Sequence, residues 1–475
     1  MPLFRPSRYR LAPALPDLTE IQYRKFTAFL SKAIAPSLDA INPIQARRKN
    51  MRVVLYPNLY LFCQPKMTER QAFLNKETYA MSLFVVGQLF RGNQPVERPQ
   101  WLDFGQLPVM TRRGHFIING RIRVLVHQIV RRPGLYFKEK IEGVGWKETR
   151  VLWGDFICQR GSWVRIQRDK KKRLWFCLKN TRKINLEHMI AAMSVVERQL
   201  AQGGGGVWTP DDLRALKQVG ERLGFVKRAR DKTEAGTKTD LAAHNAYKFI
   251  YTRFKNPRTY TLGGSARYQI NRKLQITENS LQLTANDLQG VMAYLLDLDQ
   301  HQRVFDDIDN LGNRRLRSSS ELFQIRLETG LAMLAKSAKR KLNRWKDVKT
   351  SRLLVDSKPF RQAFRDCFVG NPLAQFLDQV NPLSTITHKR RIYATGPGGV
   401  SKANASLVMR SIHPTYYGRL CPIETPEGKM AGLVNSLTVF GRVSEDGFLQ
   451  TPYYRMFNGQ IQTRSGLHYG TTAQE

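Results

Sequence analysis

The residues best suited to chemistry lie in one stretch, 371–437. Four consecutive residues, His388–Arg391, carry imidazole, ammonium and guanidinium groups that can donate hydrogen bonds to phosphates. The loop Gly396–Gly399 (Gly-Pro-Gly-Gly) follows, and it offers bare backbone for the close approach of a ligand. A second turn-rich stretch places two acids, Glu424 and Glu427, among prolines. The segment therefore combines phosphate donors, accessible backbone and two carboxylates on a constrained loop.

A second concentration of charge lies at residues 306–317. Asp307, Asp309 and Gly312 match the start of a calcium-binding loop. The twelfth position of that loop is Ser318, however, so the bidentate acid is missing. Carboxylates this close could also hold Mg²⁺, but no third clustered acid completes a two-metal site. We favour a structural interpretation of this stretch, in which its acids and arginines order one another.

Other reactive chemistry has little support. The five cysteines lie far apart with no CxxC pair, which argues against a zinc site and a disulfide framework and suits a reducing compartment. The eight histidines include no HxxxH pair. A self-contained nuclease or transferase would need such a site or a cluster of carboxylates in this chain.

The charge balance indicates the kind of partner. The chain has 475 residues, 42% of them hydrophobic, which is enough for two to four folded domains. Its 77 Lys and Arg residues against 38 Asp and Glu residues give a net charge of +39, which strains a compact fold unless a polyanion neutralises it. Nucleic acid is the first candidate and an anionic membrane surface the second. No run of eighteen apolar residues exists and the basic residues are spread along the chain, so membrane insertion is not expected.

Several elements must position these residues. Thr19 and Gln22 predict a capping box at the start of a helix, and residues 51–64 predict a strand with Pro57-Asn58 as a turn. Asn119-Gly120 predicts a tight hairpin between two apolar runs. Helices are predicted at Asn185–Gln202, after the cap Thr209, at Thr284–Asp297, and from Ser318 and Glu321 onward, where the helix carries Leu322, Ile325, Leu331 and Leu334. Further predictions are a hairpin tip at Lys170–Arg173, a flexible link at Gly203–Gly206 and a polar loop at Arg228–Asp240.

The order and spacing of residues 371–437 resemble the fork region of the β subunit of bacterial-type, multisubunit DNA-dependent RNA polymerase. The resemblance extends from about residue 17 to about residue 454 and is weak in the middle of the chain. Its other landmarks are Pro16–Gln22, Leu107–Phe137, Arg160–Trp163, Arg267–Leu274, Asp306–Arg317 and Thr438–Tyr454.

The resemblance implies a multidomain α+β fold with the mixed sheets and helices of the β-subunit protrusion, lobe and fork regions. The expected parts are a basic N-terminal arm at 1–16, a first (protrusion) domain at 17–120 and 319–370, a second (lobe) domain at 121–306 with a variable insert at 203–265, a fork region at 307–318 and 371–455, and a C-terminal tail at 456–475.

The resemblance also implies a function. The chain would be the N-terminal section of the β subunit of a nucleotidyltransferase that transcribes DNA into RNA from the four ribonucleoside triphosphates, and it would not be active alone. The metal-binding carboxylates would lie on the β′ partner, so Mg²⁺ is expected there and no cofactor on this chain. Expected partners are the DNA template, the nascent RNA, a β C-terminal section, β′, β″, α and a sigma factor. The basic, organelle-like sequence is most similar to plastid-encoded polymerases of green algae, which implies the chloroplast.

The resemblance implies nucleic-acid contacts for the residues at positions that match the family's motifs. A wall beside the RNA of the hybrid would comprise Gln375, Phe376, Asp378, His388, Lys389, Arg390 and Arg391. Lys402 would be a basic residue of the second fork loop, 396–408, although Asn404 stands where bacteria have arginine. Glu427 would support the loop beneath the active centre. A pocket for an extruded nontemplate base would comprise Arg131, Trp163, Asp309 and Arg314.

In bacterial relatives the same wall forms the rifampicin pocket. Three positions depart from the bacterial pattern: Tyr393 replaces a serine, Thr395 a leucine and Met430 an asparagine. The added ring and the lost hydroxyl predict low sensitivity to the drug.

An RNA-binding protein without a polymerase role, such as a ribosome-associated factor, would fit the charge equally well, but it leaves the landmark strings unexplained.

Overall fold

The computed structural model describes residues 16–46, 50–142, 149–203, 208–224, 235–299, 305–344, 350–401, 403, 405–462 and 466–475. The chain divides into two compact units, one made of residues 1–130 and 309–475 and the other of residues 131–308. Both units combine helices with sheets, so the predicted multidomain α+β class is confirmed. No described helix is long and apolar enough to cross a membrane.

The first unit has an aromatic core between helices and a sheet. The Phe323 ring stacks on Phe116 with ring centroids 5.7 Å apart, and it meets Phe26 edge-on at 5.6 Å. Pairs of this geometry stabilise a core beyond the burial of their area. The helices of the unit are Glu20–Lys32, Ile34–Asp39, Glu69–Leu74, Ser319–Arg344, Lys358–Val369 and Pro382–Arg390. Its largest sheet consists of the antiparallel strands Ile44–Gln45, Met51–Cys63, Ala80–Arg91, Gln94–Pro95 and Gln100–Pro108.

Smaller sheets of the same unit bring distant charged segments together. The strand Arg121–Leu125 lies between Phe116–Ile118 and Ala374–Phe376. A four-stranded sheet has the order Arg314–Arg317, His127–Arg131, Arg391–Tyr393 and Val434–Ser436, and its two central strands are parallel. The remaining strands are Arg442–Val443, Leu449–Tyr454 and Leu467–Thr471 in one sheet and Met456–Phe457 with Gln460–Ile461 in a hairpin.

The second unit packs helices against one antiparallel sheet. Phe137 of the sheet stacks on Tyr294 of a helix with ring centroids 4.0 Å apart. The strands, in spatial order, are Ile184–Asn185, Leu174–Leu178, Val164–Arg168, Thr149–Ile157 and Gly134–Glu142. The α-helices are Leu186–Ala201, Pro210–Leu223, Ala235–Ile250, Gly264–Leu274 and Ala285–Asp299, and a π-helical turn spans Tyr251–Lys255.

Predictions from local sequence signals are confirmed at several places. Asn119 and Gly120 adopt φ angles of +51° and +69° at the tip of a tight hairpin. Thr209 and Asp212 form a capping box, and Pro210 is the first helical residue. Thr284 caps the helix Ala285–Asp299 by accepting a hydrogen bond from the Asp287 N–H at 3.2 Å. The predicted link at 203–206 lies outside the described residues, apart from Gly203.

Other predictions are wrong. The predicted capping box does not form. Thr19 makes no capping hydrogen bond to the helix, and its hydroxyl donates to Asp17. The buried Gln22 side chain donates to the Leu125 and Lys389 carbonyls instead. Pro57-Asn58 forms no turn, since the strand Met51–Cys63 continues through a register shift there. Residues 235–240 of the predicted polar loop are helical.

Candidate nucleic-acid interface

The predicted RNA wall is built on a strand, a capped helix and a second strand. Ala374–Phe376 pairs antiparallel with Arg121–Leu125, with Phe376 opposite Arg123. Asn381 and Ser384 form a capping box at the start of the helix Pro382–Arg390. A side-chain cap and a proline at the first position both favour this helix start. The chain then enters the strand Arg391–Tyr393, which lies in another sheet.

His388 holds the two ends of this wall together. Its Nδ1 accepts a hydrogen bond from the Asp378 N–H at 3.1 Å, so the proton lies on Nε2, which is 2.9 Å from Gln375 Oε1. Tyr393 donates its hydroxyl hydrogen to the same Gln375 oxygen at 3.2 Å. Burial, reinforced by Arg391, lowers the pKa of His388 while Asp378 opposes the shift. The network favours a neutral imidazole and fixes the orientation of the Gln375 amide.

Lys389 and Arg390 point into the protein. Lys389 Nζ donates to the Arg113 carbonyl at 2.6 Å, and Arg390 donates to the Leu18 carbonyl at 3.0 Å and the Thr438 carbonyl at 2.5 Å. Both residues are buried, and burial lowers the pKa of each side chain. They join distant segments of the first unit, and their contact with nucleic acid stays a prediction.

Gln375, Phe376, Asp378 and Arg391 are the accessible part of the wall. Arg391 is half-buried and has no hydrogen-bond or ion-pair partner among the described residues. The Phe376 ring is 53% exposed and is covered on one face by the Arg123 guanidinium, 4.4 Å from the ring centroid. Asp378 is half-buried and accepts hydrogen bonds from the Val380 N–H and the Ser384 hydroxyl. An unpaired guanidinium and an exposed ring on the same wall suit phosphate and base contacts.

The glycine loop 396–399 is anchored by two residues that sequence analysis did not single out. Gln128, which is fully buried, donates to the Thr395 carbonyl at 3.0 Å and accepts from Arg317 at 3.3 Å. Arg317 also donates to the Pro397 carbonyl at 3.3 Å. Burial lowers the pKa of Arg317, and the nearby Glu321 opposes that shift. A polar residue within the apolar run of 124–130 was the only signal for Gln128.

The structure describes the residues predicted on the second fork loop and on the turn-rich stretch to different extents. Lys402 and Asn404 lie outside the described residues. Glu427 is exposed on the turn-rich stretch and precedes a short turn at Gly428–Met430. Arg410 supports that stretch by donating to the Lys429 and Ala431 carbonyls at 3.0 and 2.7 Å. The role of Glu427 beneath an active centre stays a prediction.

The acids and arginines of residues 309–321 order one another. Asp309 forms an ion pair with Arg314, which also donates to the Tyr416 hydroxyl at 3.2 Å. Arg315 binds Glu321 through two hydrogen bonds of 2.7 Å. Among the described residues, no group of three or more His, Cys, Asp or Glu side chains is arranged to hold a metal ion.

The four residues of the predicted base pocket belong to different units. Asp309 and Arg314 lie in the first unit, whereas Arg131 and Trp163 lie in the second. Arg131 ends the strand His127–Arg131, and Trp163, 49% exposed, precedes the strand Val164–Arg168. That the four share one pocket stays a prediction.

Comparison with known proteins defines the class of this protein. The chain matches the family described as RNA polymerase Rpb2, domain 2, over residues 209–317, and RNA polymerase Rpb2, domain 3, over residues 375–443. The second range contains most of the wall, the glycine loop and the turn-rich stretch. The protein is therefore of the RNA polymerase class.

Individual relatives identify which subunit of the polymerase this chain is similar to. The chain is 33% identical to the DNA-directed RNA polymerase subunit beta N-terminal section of Stigeoclonium helveticum, with 97% of this chain and 80% of the relative covered. It is 32% identical to that of Chlamydomonas reinhardtii, with 97% and 69% covered. It is 37% identical to the DNA-directed RNA polymerase subunit beta of Prochlorococcus marinus, of which it spans 42%. The chain belongs to the β-subunit family of DNA-directed RNA polymerase.

Proposed function

We propose that this chain positions the DNA, the transcript and their hybrid in a polymerase that copies DNA into RNA from ribonucleoside triphosphates. One observation supports this role most strongly: Arg391 is unpaired among the described residues and its strand adjoins the exposed Phe376 surface through the Gln375 network. Such a surface binds phosphates and bases without reading their sequence.

No catalytic residue is assigned to this chain. The family resemblance supports Mg²⁺ on the carboxylates of a β′ partner, where it would activate nucleotidyl transfer. This chain would then contribute orientation and electrostatic stabilisation of the nucleic acid.

The proposed partners are a β C-terminal section, β′, β″, α and a sigma factor. Two of the relatives are named as N-terminal sections of the subunit, which supports a complementary section in the assembled enzyme. The resemblance to plastid-encoded polymerases supports a location in the chloroplast.

Site-specific cross-linking tests the RNA contact. A photoreactive phenylalanine analogue replaces Phe376 in the assembled polymerase, which is halted on a template with labelled RNA. We expect the label to be transferred to this chain. Leu353, 60% exposed in the same unit, is the control position and should give little transfer. Equal transfer from both positions, or none from Phe376, would contradict the proposed role.

A further inference from the structure

Two adjoining cavities of the first unit form a groove that the RNA wall does not use. The larger cavity has a volume of about 610 Å³ and the smaller about 450 Å³. Both are lined by Ile118, Asn119 and Val369, so they share a border. We call the pair the basic groove, because its lining includes the cations Lys76, Arg121, Arg123, Lys358, Arg361 and Arg365.

The cations of the basic groove have no carboxylate partners in the part of the chain that the structure describes. None of the six forms an ion pair with another described residue, and no carboxylate of the described chain lines either cavity. The neighbouring Asp366 accepts a hydrogen bond from Gln362 at 2.7 Å. Arg123 donates to the Phe368 and Ala374 carbonyls. Clustered like charges repel one another, so the groove favours an anionic occupant.

One helix supplies half of these charges at regular intervals. Lys358, Arg361 and Arg365 are three and four residues apart on the helix Lys358–Val369, so they share one face. The rise of an α-helix spaces the outer two by roughly 10 Å along its axis. All three are exposed, whereas Phe364 and Phe368 of the same lining are buried. The groove thus has an apolar floor and a row of cations along one wall.

The basic groove continues into the RNA wall. Arg121 and Arg123 line the smaller cavity, and their strand pairs with Ala374–Phe376. Their guanidinium groups lie 5.7 and 4.4 Å from the centroid of the Phe376 ring. A polymer that contacts Phe376 therefore has an unbroken cationic path into the groove.

We propose that the basic groove binds phosphates of the same RNA strand that contacts the wall at Phe376. The inference rests on the proposed function, because the wall's RNA contact selects RNA over other polyanions. Guanidinium groups bind phosphates through paired N–H donors, and the exposed edges of the groove let a strand pass along it. An acidic segment of a partner protein is the competing occupant.

Cross-linking from Val369 separates these possibilities. Val369 lies where the two cavities meet and is 60% exposed, the same fraction as Leu353. A photoreactive residue at Val369 in the halted polymerase should label RNA, and one at Leu353 should not. Transfer from Phe376 without transfer from Val369 would overturn the groove and leave the proposed function intact. Absence of transfer from both would contradict both, and cross-links from Val369 to protein alone would identify a protein occupant and overturn the RNA assignment.

Charge removal supplies a second measurement. A triple variant removes three cations of the groove: Arg121→Gln, Arg361→Gln and Arg365→Gln. Its control is a triple variant that removes three other exposed cations of the same unit: Arg24→Gln, Lys32→Gln and Lys66→Gln. If each groove arginine meets one phosphate, the log–log salt slope of elongation-complex stability should fall by about 2, at about 0.7 per single-strand phosphate. The control should leave the slope and the Val369 cross-link unchanged. Equal effects of the two variants would overturn the groove as a site.

Discussion

Neighbouring cations of the wall differ in what they contact. Lys389 and Arg390 end a helix and donate to main-chain carbonyls of the protein. Arg391 is the first residue of the next strand, so its side chain leaves the backbone in another direction. One run of basic residues therefore combines two buried anchors with a cation that has no hydrogen-bond or ion-pair partner among the described residues.

Substitution of Arg391 tests this difference. Because Arg391 is unpaired among the described residues, Arg391→Ala should remove one phosphate contact without loss of folding. In the assembled enzyme, the log–log salt slope of elongation-complex stability should fall by up to about 0.9, or about 0.7 for a single strand. Lys32→Ala is the matched control for an exposed cation. An unchanged slope in a normally assembled Arg391→Ala enzyme would make the residue structural.

The prediction of low rifampicin sensitivity depends on Tyr393. Its hydroxyl donates to Gln375 at 3.2 Å, so the ring is fixed at a position where bacterial relatives have serine. We expect low sensitivity to the drug, because the ring occupies space and a stranded polar partner costs about 1–3 kcal/mol. Tyr393→Ser should restore part of the inhibition in a transcription assay, and Tyr393→Phe, which keeps the ring, should not. Wild-type inhibition at bacterial drug concentrations would contradict this.

At the scale of elements, the glycine loop depends on close backbone packing. A methyl group at Gly399 would lie 2.5 Å from the Ala394 carbonyl oxygen and 2.6 Å from Gln128 Nε2. Gly399→Ala should therefore displace the loop, lower stability by about 1–3 kcal/mol and slow elongation. Urea unfolding of the chain and elongation assays of the assembled enzyme measure the two effects. Gly264→Ala, whose methyl group meets nothing within 4 Å, is the control. Unaltered unfolding of Gly399→Ala would show that the loop tolerates the methyl group.

Elements were predictable where their causes are local. The Asn119-Gly120 turn and the cap at Thr209 depend on residues at most three positions apart, and both are as predicted. Gln22 was misassigned because its partners, Leu125 and Lys389, lie 103 and 367 residues away. Pro57 was misassigned because sheet pairing continues past it through a bulge, where proline is tolerated.

The candidate site was likewise predictable only where its sequence signals are local. Its residue types were evident from the basic run and the glycine loop, and family resemblance gave their roles. Which cations are buried depends on carbonyls of segments as distant as Leu18 and Thr438. The anchoring roles of Gln128 and Arg317, 189 residues apart, required the structure.

At the scale of the whole molecule, burial, reinforced by the positive charge of the chain, lowers the pKa of two histidines. His127 is fully buried without a hydrogen-bond partner among the described residues, and burial, with Arg390 and Lys25, lowers its pKa to about 3. Burial, with Lys389 and Arg113, lowers the pKa of His115 to about 4. Both groups therefore take up protons more readily in the unfolded chain than in the folded one.

The chain should lose stability as pH falls. Between about pH 6.5 and the lowered folded-state pKa, the unfolded state binds the extra proton, at about 1.4 kcal/mol per pH unit for each histidine. His127→Leu should make urea-unfolding free energies less dependent on pH between about pH 7 and pH 5, because one such proton is removed. His188→Leu, at a half-buried histidine of the second unit, is the control. An unchanged pH dependence in His127→Leu would contradict this assignment.

The role proposed for this chain is to position nucleic acid in a polymerase whose metal chemistry belongs to a partner. Template-directed incorporation of labelled ribonucleotides with Mg²⁺, measured for the homogeneous chain alone and for the assembled enzyme, tests it most directly. We expect the chain alone to bind nucleic acid and to synthesise no RNA, and we expect synthesis to appear on assembly with its partner subunits. Synthesis by the homogeneous chain alone would contradict the proposed role.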